Sequence, residues 1–303
     1  IELPLFSKDP KRIKNQIKIY HFKTDKSSYL EIEAPANYSI PGEFEERVFI
    51  ALTKIMKNNN YSRSFVVSAN EILETLGLSN KAYYKRIREA LTLLSKTNYT
   101  FLNSLYSNKE SGIIEKKIMS NIMNITIISK KDSRAKEIEA FEDGRIKEVY
   151  EINFTDYFYE NIIRKGYLAF DSGKLLAIEN SVSRAIYTIV EKWRGYDLYI
   201  KRQAFFIARR IPLKWDKTQI KRTIDTMEKA LIELRNLNLI KNYKIIKEKK
   251  WELAEIEITY EESHNKTKRD TFFTEKNEFN SMDMLVTSTE EKIKCISEDF
   301  QSG

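Results

Sequence analysis

The chain has 303 residues, enough for two domains of ordinary size that each bury their own hydrophobic core. Apolar residues make up 42% of the sequence and charged residues 32%, which is typical of a globular protein with an ionic surface and excludes the fibrous and disordered classes. No stretch approaches the roughly 18 apolar residues that a membrane span needs, and the first residues lack the order of a signal peptide. We therefore expect a cytoplasmic protein with no membrane partner.

Basic residues outnumber acidic residues by 52 to 44, which gives a formal net charge of +8 and indicates a polyanionic partner. The abundance of Ile, Lys, Asn and Tyr also indicates an AT-rich coding sequence, which raises the lysine count without a functional cause. The positions of the charges are therefore more informative than their sum. The single cysteine, Cys295, excludes an internal disulfide bond.

The first 42 residues alternate in places like a β-strand and end in the helix-breaking pair Pro41-Gly42. We predict that residues 1–42 form a strand-rich extension that packs on the first domain. A helix then runs from Glu43 to about Lys57. This is predicted because apolar residues recur there at spacings of three and four, and acidic residues occupy the first turn, where the helix dipole stabilises them.

The residues after this helix predict a helix-turn-helix followed by a hairpin. Ser68 and Glu71 have the spacing of a capping box, which marks the start of a second helix. A short turn and a third helix through Leu94 follow. Two strand-like stretches come next, Thr100–Tyr106 and Ile122–Ile128, which we interpret as a hairpin. A short helix, a turn, a longer helix and a hairpin form the layout of a winged helix-turn-helix.

The same order of elements recurs further along the chain. Adding 137 to core positions of the first and third helices leads to residues that also suit a helix core. The pairs are Val48 and Ala185, Phe49 and Ile186, Leu52 and Ile189, Met56 and Trp193, Tyr83 and Ile220, Ile87 and Ile224, Ala90 and Met227, and Leu94 and Leu231. The middle helix does not keep this offset, because the segment Ala204–Trp215 is longer than its counterpart. The last helix ends near Leu239, and Tyr243–Ile246, a charged turn at Lys247–Lys250 and Leu253–Ile258 predict a second hairpin.

We therefore predict an α+β, helix-rich fold of two tandem winged helix-turn-helix domains related by a pseudo-repeat. The predicted first domain covers residues 43–155, the second covers residues 156–260, and a flexible acidic tail covers residues 261–303. The charged stretch Lys130–Arg134, between the two repeated units, is interpreted as a mobile loop, and Val149–Phe154 as a strand after it.

Cationic side chains on the outer faces of both third helices are the candidates for DNA contact, because such a helix fits the major groove and Lys and Arg bind guanine edges and phosphates. The stretch from Lys201 to Arg222 contains eight basic residues and one acid, Asp216, which is placed to cap the helix. The predicted DNA contacts are Lys81, Lys85, Arg86 and Arg88 in the first domain, Lys201, Arg202, Arg209, Arg210, Lys217, Thr218, Lys221 and Arg222 in the second, and Lys247, Lys249 and Lys250 in its wing.

The sequence lacks the motifs of the common nucleotide-dependent and metal-dependent enzymes. No Gly-x-x-x-x-Gly-Lys-Ser/Thr loop is present to bind a nucleotide triphosphate. The two histidines, His21 and His264, are far apart and have no ligand-like spacing. We predict no catalytic residue, no metal site and no cofactor.

Several motifs resemble those of the replication initiator protein A family of bacterial plasmids. They are Leu3-Pro4-Leu5-Phe6, Pro41-Gly42, the helical stretch Glu46–Leu52 and the helix segment Ser183–Tyr187 ahead of a basic winged helix. The resemblance extends over about Leu3–Tyr260. It implies binding of double-stranded DNA at origin repeats as a monomer, a homodimer that represses its own gene, and recruitment of host replication proteins.

Two alternatives remain open at this point. The same fold serves transcriptional repressors and plasmid segregation proteins, whose target is a promoter or partition site instead of an origin. A nickase or primase is the second alternative, although Tyr157 and Tyr159 lack the paired histidines that a nicking tyrosine needs.

Overall fold

The computed structural model describes residues 3–22, 26–107, 112–131, 134, 136–139, 141, 146–163, 171–247, 249–266 and 268. In chain order these residues form β1 (Ile17–His21), β2 (Tyr29–Glu33), α1 (Glu43–Asn58), β3 (Ser64–Ser68), α2 (Ala69–Thr75), α3 (Tyr83–Lys96), β4 (Asn98–Leu102), β5 (Tyr106–Ser107), β6 (Gly112–Ile113), β7 (Lys117–Ser120), β8 (Met123–Ser129), α4 (Lys136–Glu139), β9 (Glu148–Phe154), α5 (Asp156–Ile163), α6 (Ser172–Ala177), α7 (Ser181–Arg194), β10 (Tyr199–Gln203), α8 (Ala204–Arg210), α9 (Ile220–Asn236), β11 (Asn242–Ile246), a 3-10 helix (Trp251–Leu253) and β12 (Glu255–Thr259). The fold is mixed α and β.

Local sequence signals account for the starts of several helices. The backbone N–H of Gly42 donates to the Glu45 carboxylate at 2.7 Å, within the acidic first turn of α1. Ser68 Oγ accepts from the backbone N–H of Glu71 at 3.1 Å and caps α2 where the sequence predicted. Each cap satisfies a backbone group that the helix itself leaves unpaired.

Four antiparallel strands form a sheet in the order β1, β2, β4, β7. Leu30 of β2 pairs with Phe101 of β4, and both side chains are buried in the core. Since β4 lies between β2 and β7, the prediction that residues 100–106 form a hairpin with residues 122–128 is wrong. Alternation with a period of two identifies a strand but not its partner, and here the N-terminal residues supply that partner.

Helices α1, α2 and α3 with strands β3, β8 and β9 form what we call the first unit. Its sheet has the order β3, β9, β8, and all its pairings are antiparallel. The stretch Lys130–Arg134, interpreted from the sequence as a loop between the two repeats, lies instead between β8 and β9. The hairpin of the first unit is therefore β8–β9, and residues 98–120 are an insertion ahead of it.

Helices α7, α8 and α9 with strands β10, β11 and β12 form the second unit. Its sheet has the order β10, β12, β11, so in both units the first strand pairs with the last. Helix α9 begins 137 residues after α3, whereas β10 and α8 come 135 residues after β3 and α2. The connection between α8 and α9 is accordingly longer, as predicted, and the hairpin β11–β12 lies where the sequence placed it.

Two large hydrophobic clusters correspond to the two units, and a small third cluster contains Ile128, Ile138 and Val149. The first contains buried residues from Leu5 to Leu176 and the second those from Ile178 to Tyr260. The predicted domain boundary at residues 155/156 stays a prediction. Within the described residues, no helix combines the length and apolarity that crossing a bilayer requires.

The start of the predicted flexible tail packs against the second unit. Asn265 is buried and accepts a hydrogen bond from Arg194 Nη1 at 2.7 Å, and Lys268 Nζ lies 3.3 Å from the Glu191 carboxylate. Asn265 and Lys268 thus join a buried ion-pair network of the second unit, while the predicted flexibility of residues 261–303 stays a prediction. The rest of the predicted tail, 269–303, lies outside the described residues.

Candidate nucleic-acid interface

The outer face of α3 carries cationic side chains because its opposite face is buried. Ile87, Ala90 and Leu94 point into the first core, so Lys85 and Arg88 are turned towards solvent. The Tyr84 hydroxyl donates to Asn70 Oδ1 at 2.9 Å and thereby joins α3 to α2. This bond adds to the apolar packing of α2 against α3 in the first core.

The cations of α3 are already engaged within the chain. Lys85 Nζ lies 4.0 Å from a Glu89 oxygen, and Arg88 Nη1 lies 3.4 Å from the Glu148 carboxylate on β9. The guanidinium of Arg86 lies 4.1 Å from the centre of the Phe44 ring, in a cation–π contact with α1. Lys81 lies exposed in the turn ahead of α3.

The start of α9 carries a second cationic face. Lys217, Lys221 and Arg222 are exposed, while Ile220 and Ile224 are buried in the second core. Within the described ranges, no acidic side chain forms an ion pair with any of these three cations. Their charges are therefore available to a ligand without first breaking an internal contact.

Asp216 organises the turn that leads into α9, but it is not the helix cap that the sequence predicted, because α9 begins at Ile220 and its N-cap residue, Gln219, makes no side-chain capping hydrogen bond. Its carboxylate accepts from the Thr218 backbone N–H at 3.0 Å and from the Thr218 hydroxyl. Its own carbonyl accepts from the backbone N–H of Ile220 at 3.1 Å. The hydrogen bond from the Thr218 hydroxyl is the main reason that the pKa of Asp216 is lowered. Thr218, a predicted DNA contact, thus also holds this turn together.

The remaining predicted contacts of the second unit differ in their availability. Arg209 and Arg202 are exposed. Lys201 on β10 forms an ion pair with Glu255 at 2.7 Å, and a hydrogen bond to that carboxylate raises the pKa of Lys201. Arg210 is half-buried, with its guanidinium 5.9 Å from the centre of the Phe22 ring. Arg210 therefore faces the N-terminal sheet, which sequence periodicity does not reveal.

The predicted wing residues lie on and beside the turn of hairpin β11–β12. Lys247 Nζ is 4.7 Å from the centre of the Trp251 ring, which holds the lysine over an aromatic face. Lys249 and Lys250 are exposed. The three side chains form a basic hairpin tip.

The corresponding hairpin of the first unit also carries basic residues next to its strands, which the sequence reasoning did not assign to DNA contact. Lys131 and Lys147 are exposed at the ends of β8 and β9, and Arg134 forms an ion pair with Glu151 at 2.7 Å. The signal was present, since Lys130-Lys131 precedes a charged stretch just as Lys247 does in the second unit. It was missed because β4 had been assigned to this hairpin. In the part of the chain that the structure describes, no group of three or more His, Cys, Asp or Glu residues is placed to hold a metal ion.

Comparison with known proteins adds a family match. A family model described as Replication initiator protein A matches residues 1–198, more than half of the chain. Comparison with curated proteins finds no match.

Solved structures give a match in fold. A crystal structure of selenomethionine derivatives of domains 2 and 3 of RctB matches with a TM-score of 0.57 and 12% identity, covering 83% of this chain and 94% of that one. A second structure of RctB domains 2-3 matches with a TM-score of 0.56 and 13% identity, covering 87% and 98%. The Pi initiator protein in complex with iteron DNA matches with a TM-score of 0.45 and 14% identity, covering 72% and 90%. The RctB matches show that the overall fold is shared with those two domains.

Proposed function

Since this chain belongs to the replication initiator protein A family, we propose that it initiates plasmid replication by binding double-stranded DNA at repeated sites of an origin. In this proposal each unit is a winged helix-turn-helix. Helices α3 and α9 are the recognition helices, and hairpins β8–β9 and β11–β12 are the wings.

The observation that carries this proposal is the repeated presentation of a cationic helix. Both units have the order helix, strand, helix, helix, strand, strand, and in both the third helix has one face in the core and a cationic face outside. A helix of this kind fits the major groove of B-form DNA. Two such helices in one chain allow two successive grooves to be read by a monomer.

The side chains divide into two roles in this interface. Arg222 and Lys221 in α9, and Lys85 and Arg88 in α3, bind base edges and flanking phosphates. The basic tip of hairpin β11–β12, and Lys131 and Lys147 beside the strands of hairpin β8–β9, reach backbone phosphates or a minor groove. Because several phosphates are neutralised, binding should weaken steeply as salt concentration rises.

The proposal assigns the chemistry of replication to other proteins. The chain bends and wraps origin DNA, and host replication proteins supply nucleotide hydrolysis and synthesis. As the resemblance implies, a homodimer represses the chain's own gene. The protein would then be cytoplasmic and associated with its plasmid or the nucleoid.

Selection of DNA from a random pool tests the proposal. We expect the full chain to enrich a defined sequence, and a footprint over direct repeats beside a replication origin. A single footprint over a promoter palindrome would favour the repressor or segregation function instead. Relaxation of supercoiled plasmid or primer synthesis with magnesium or manganese would refute a purely binding role.

A further inference from the structure

Three charged side chains meet between the two units. Lys8 precedes β1, Glu46 lies on α1 of the first unit, and Arg184 lies on α7 of the second. One Glu46 oxygen accepts from Lys8 Nζ at 2.6 Å. The other accepts from Arg184 Nε at 3.2 Å and from Nη2 at 3.0 Å. We call these residues the inter-unit cluster.

The cluster is removed from solvent and its polar atoms are paired. The side chains of Lys8, Glu46 and Arg184 are 7%, 14% and 2% exposed. The remaining guanidinium nitrogen of Arg184 donates to the carbonyl oxygens of Ile178 and Glu179, just ahead of α7. Burial opposes ionisation of Glu46, but attraction to Lys8 and Arg184 outweighs it, so the pKa of Glu46 is lowered.

A second contact joins the second unit to the N-terminal sheet. The Arg210 guanidinium at the end of α8 lies over Phe22, which follows β1 in the N-terminal sheet. This contact is next to the turn that leads into α9. Because the N-terminal sheet shares its hydrophobic core with the first unit, this contact and the cluster hold the second unit at two separated places, which restricts its rotation.

Hydrogen bonds from a buried guanidinium are directional, because its donors have a fixed planar arrangement. An apolar patch of the same area would tolerate sliding, whereas this cluster is satisfied in one geometry. We infer that the inter-unit cluster holds the two units at a fixed spacing and orientation, so that α3 and α9 read two DNA segments at one set separation. Lys8, Glu46 and Arg184 are positioning residues, and this inference rests on the proposed function.

The first test needs no DNA. All three tryptophans, Trp193, Trp215 and Trp251, belong to the second unit, so their fluorescence reports its unfolding, while far-UV circular dichroism reports both units. During urea unfolding of the wild-type chain, the fluorescence transition and the circular dichroism transition should coincide, since coupled units unfold together. In Arg184→Met they should separate.

Arg12→Met is the matched control. Arg12 donates two hydrogen bonds, of 3.0 and 3.1 Å, to Glu45, the residue next to Glu46. Unlike Arg184, however, Arg12 does not belong to the second unit, so this pair does not join the second unit to the rest of the chain. We expect this variant to keep coincident transitions. Arg184→Lys retains the charge but not the planar arrangement of donors. It is a milder variant for use if Arg184→Met does not fold, and its fluorescence and circular dichroism transitions should separate less.

The second test uses duplexes selected by the wild-type chain from a random pool, with 5 base pairs inserted between the two protected segments. An insertion of half a helical turn moves one segment to the opposite side of the duplex. Wild-type affinity should fall by roughly tenfold or more, since the second unit no longer engages. Arg184→Met should bind the original duplex more weakly and should lose less than about threefold on insertion.

The unfolding test and the DNA-spacing test distinguish a failure of the inferred coupling from a failure of the proposed function. Coincident transitions in Arg184→Met, separate transitions in the wild type, or an unchanged spacing preference in the variant would overturn the inference. If the wild-type chain selects no DNA sequence, the proposed function fails, while the unfolding experiment still decides whether the cluster couples the units.

Discussion

The two cationic helices should contribute unequally to DNA affinity. Arg222 on α9 is exposed and has no internal ion pair among the described residues, whereas Arg88 on α3 lies 3.4 Å from Glu148. Glu148 is itself held in place by the Tyr150 hydroxyl at 2.6 Å. Arg88 must therefore leave a carboxylate before it can bind DNA, and Arg222 need not.

These contacts give the size of the difference. If Arg222 binds a base edge, Arg222→Ala should cost about 1 to 3 kcal/mol, which is roughly a 5- to 150-fold loss of affinity. Breaking an exposed pair such as Arg88 with Glu148 costs about 0.2 to 1 kcal/mol, so Arg88→Ala should lose correspondingly less. Glu148→Gln removes the competitor and should tighten binding by up to roughly fivefold.

Titration of the selected duplex by fluorescence anisotropy, at fixed salt, measures these effects. Lys241→Ala is the control, because Lys241 follows the far end of α9, about 20 Å from Arg222 along the helix. It should leave affinity nearly unchanged. Equal losses for Arg222→Ala and Arg88→Ala, or weaker binding by Glu148→Gln, would refute the reasoning.

Three further predictions concern stability, measured by urea unfolding. Arg184→Met leaves the buried Glu46 with one partner and should cost about 3 to 5 kcal/mol, whereas replacing Lys8 and Glu46 by Met and Leu as well should recover much of this loss. The pKa of Glu46 is lowered in the folded chain. Its charge therefore stabilises the fold above the unfolded pKa, and this contribution is lost as the pH falls through the folded pKa. Glu46→Gln should reduce the fall of the urea midpoint at acid pH. Asp216→Ala removes the hydrogen bonds that hold the turn before α9 and should lower stability. Leu231→Ala truncates a fully buried side chain on the same helix and should cost about 2 to 5 kcal/mol. In both variants tryptophan fluorescence should change at lower urea, and an unchanged midpoint would contradict the assigned contacts.

The sequence by itself determined the helices and the outward direction of their charges. The spacing of Ile87, Ala90 and Leu94 fixes which face of α3 is buried, and the same spacing repeats in α9, so Arg222 could be placed outside without coordinates. The cap at Ser68 was equally readable. These features depend on residues within a few positions of one another, and a helix makes all its backbone hydrogen bonds locally.

Only the tertiary structure shows which strands pair and which charged side chains are already engaged in internal contacts. β4 pairs with β2, about 70 residues earlier in the chain, and no pattern within either strand specifies that choice. Arg184 is buried against Glu46 across 138 positions, Arg210 turns to Phe22, and Arg88 meets Glu148. A strand forms its hydrogen bonds, and a buried ion forms its ion pair, with groups that are distant in the chain. Strand partners and ion pairs therefore depend on which surfaces the folded chain brings together.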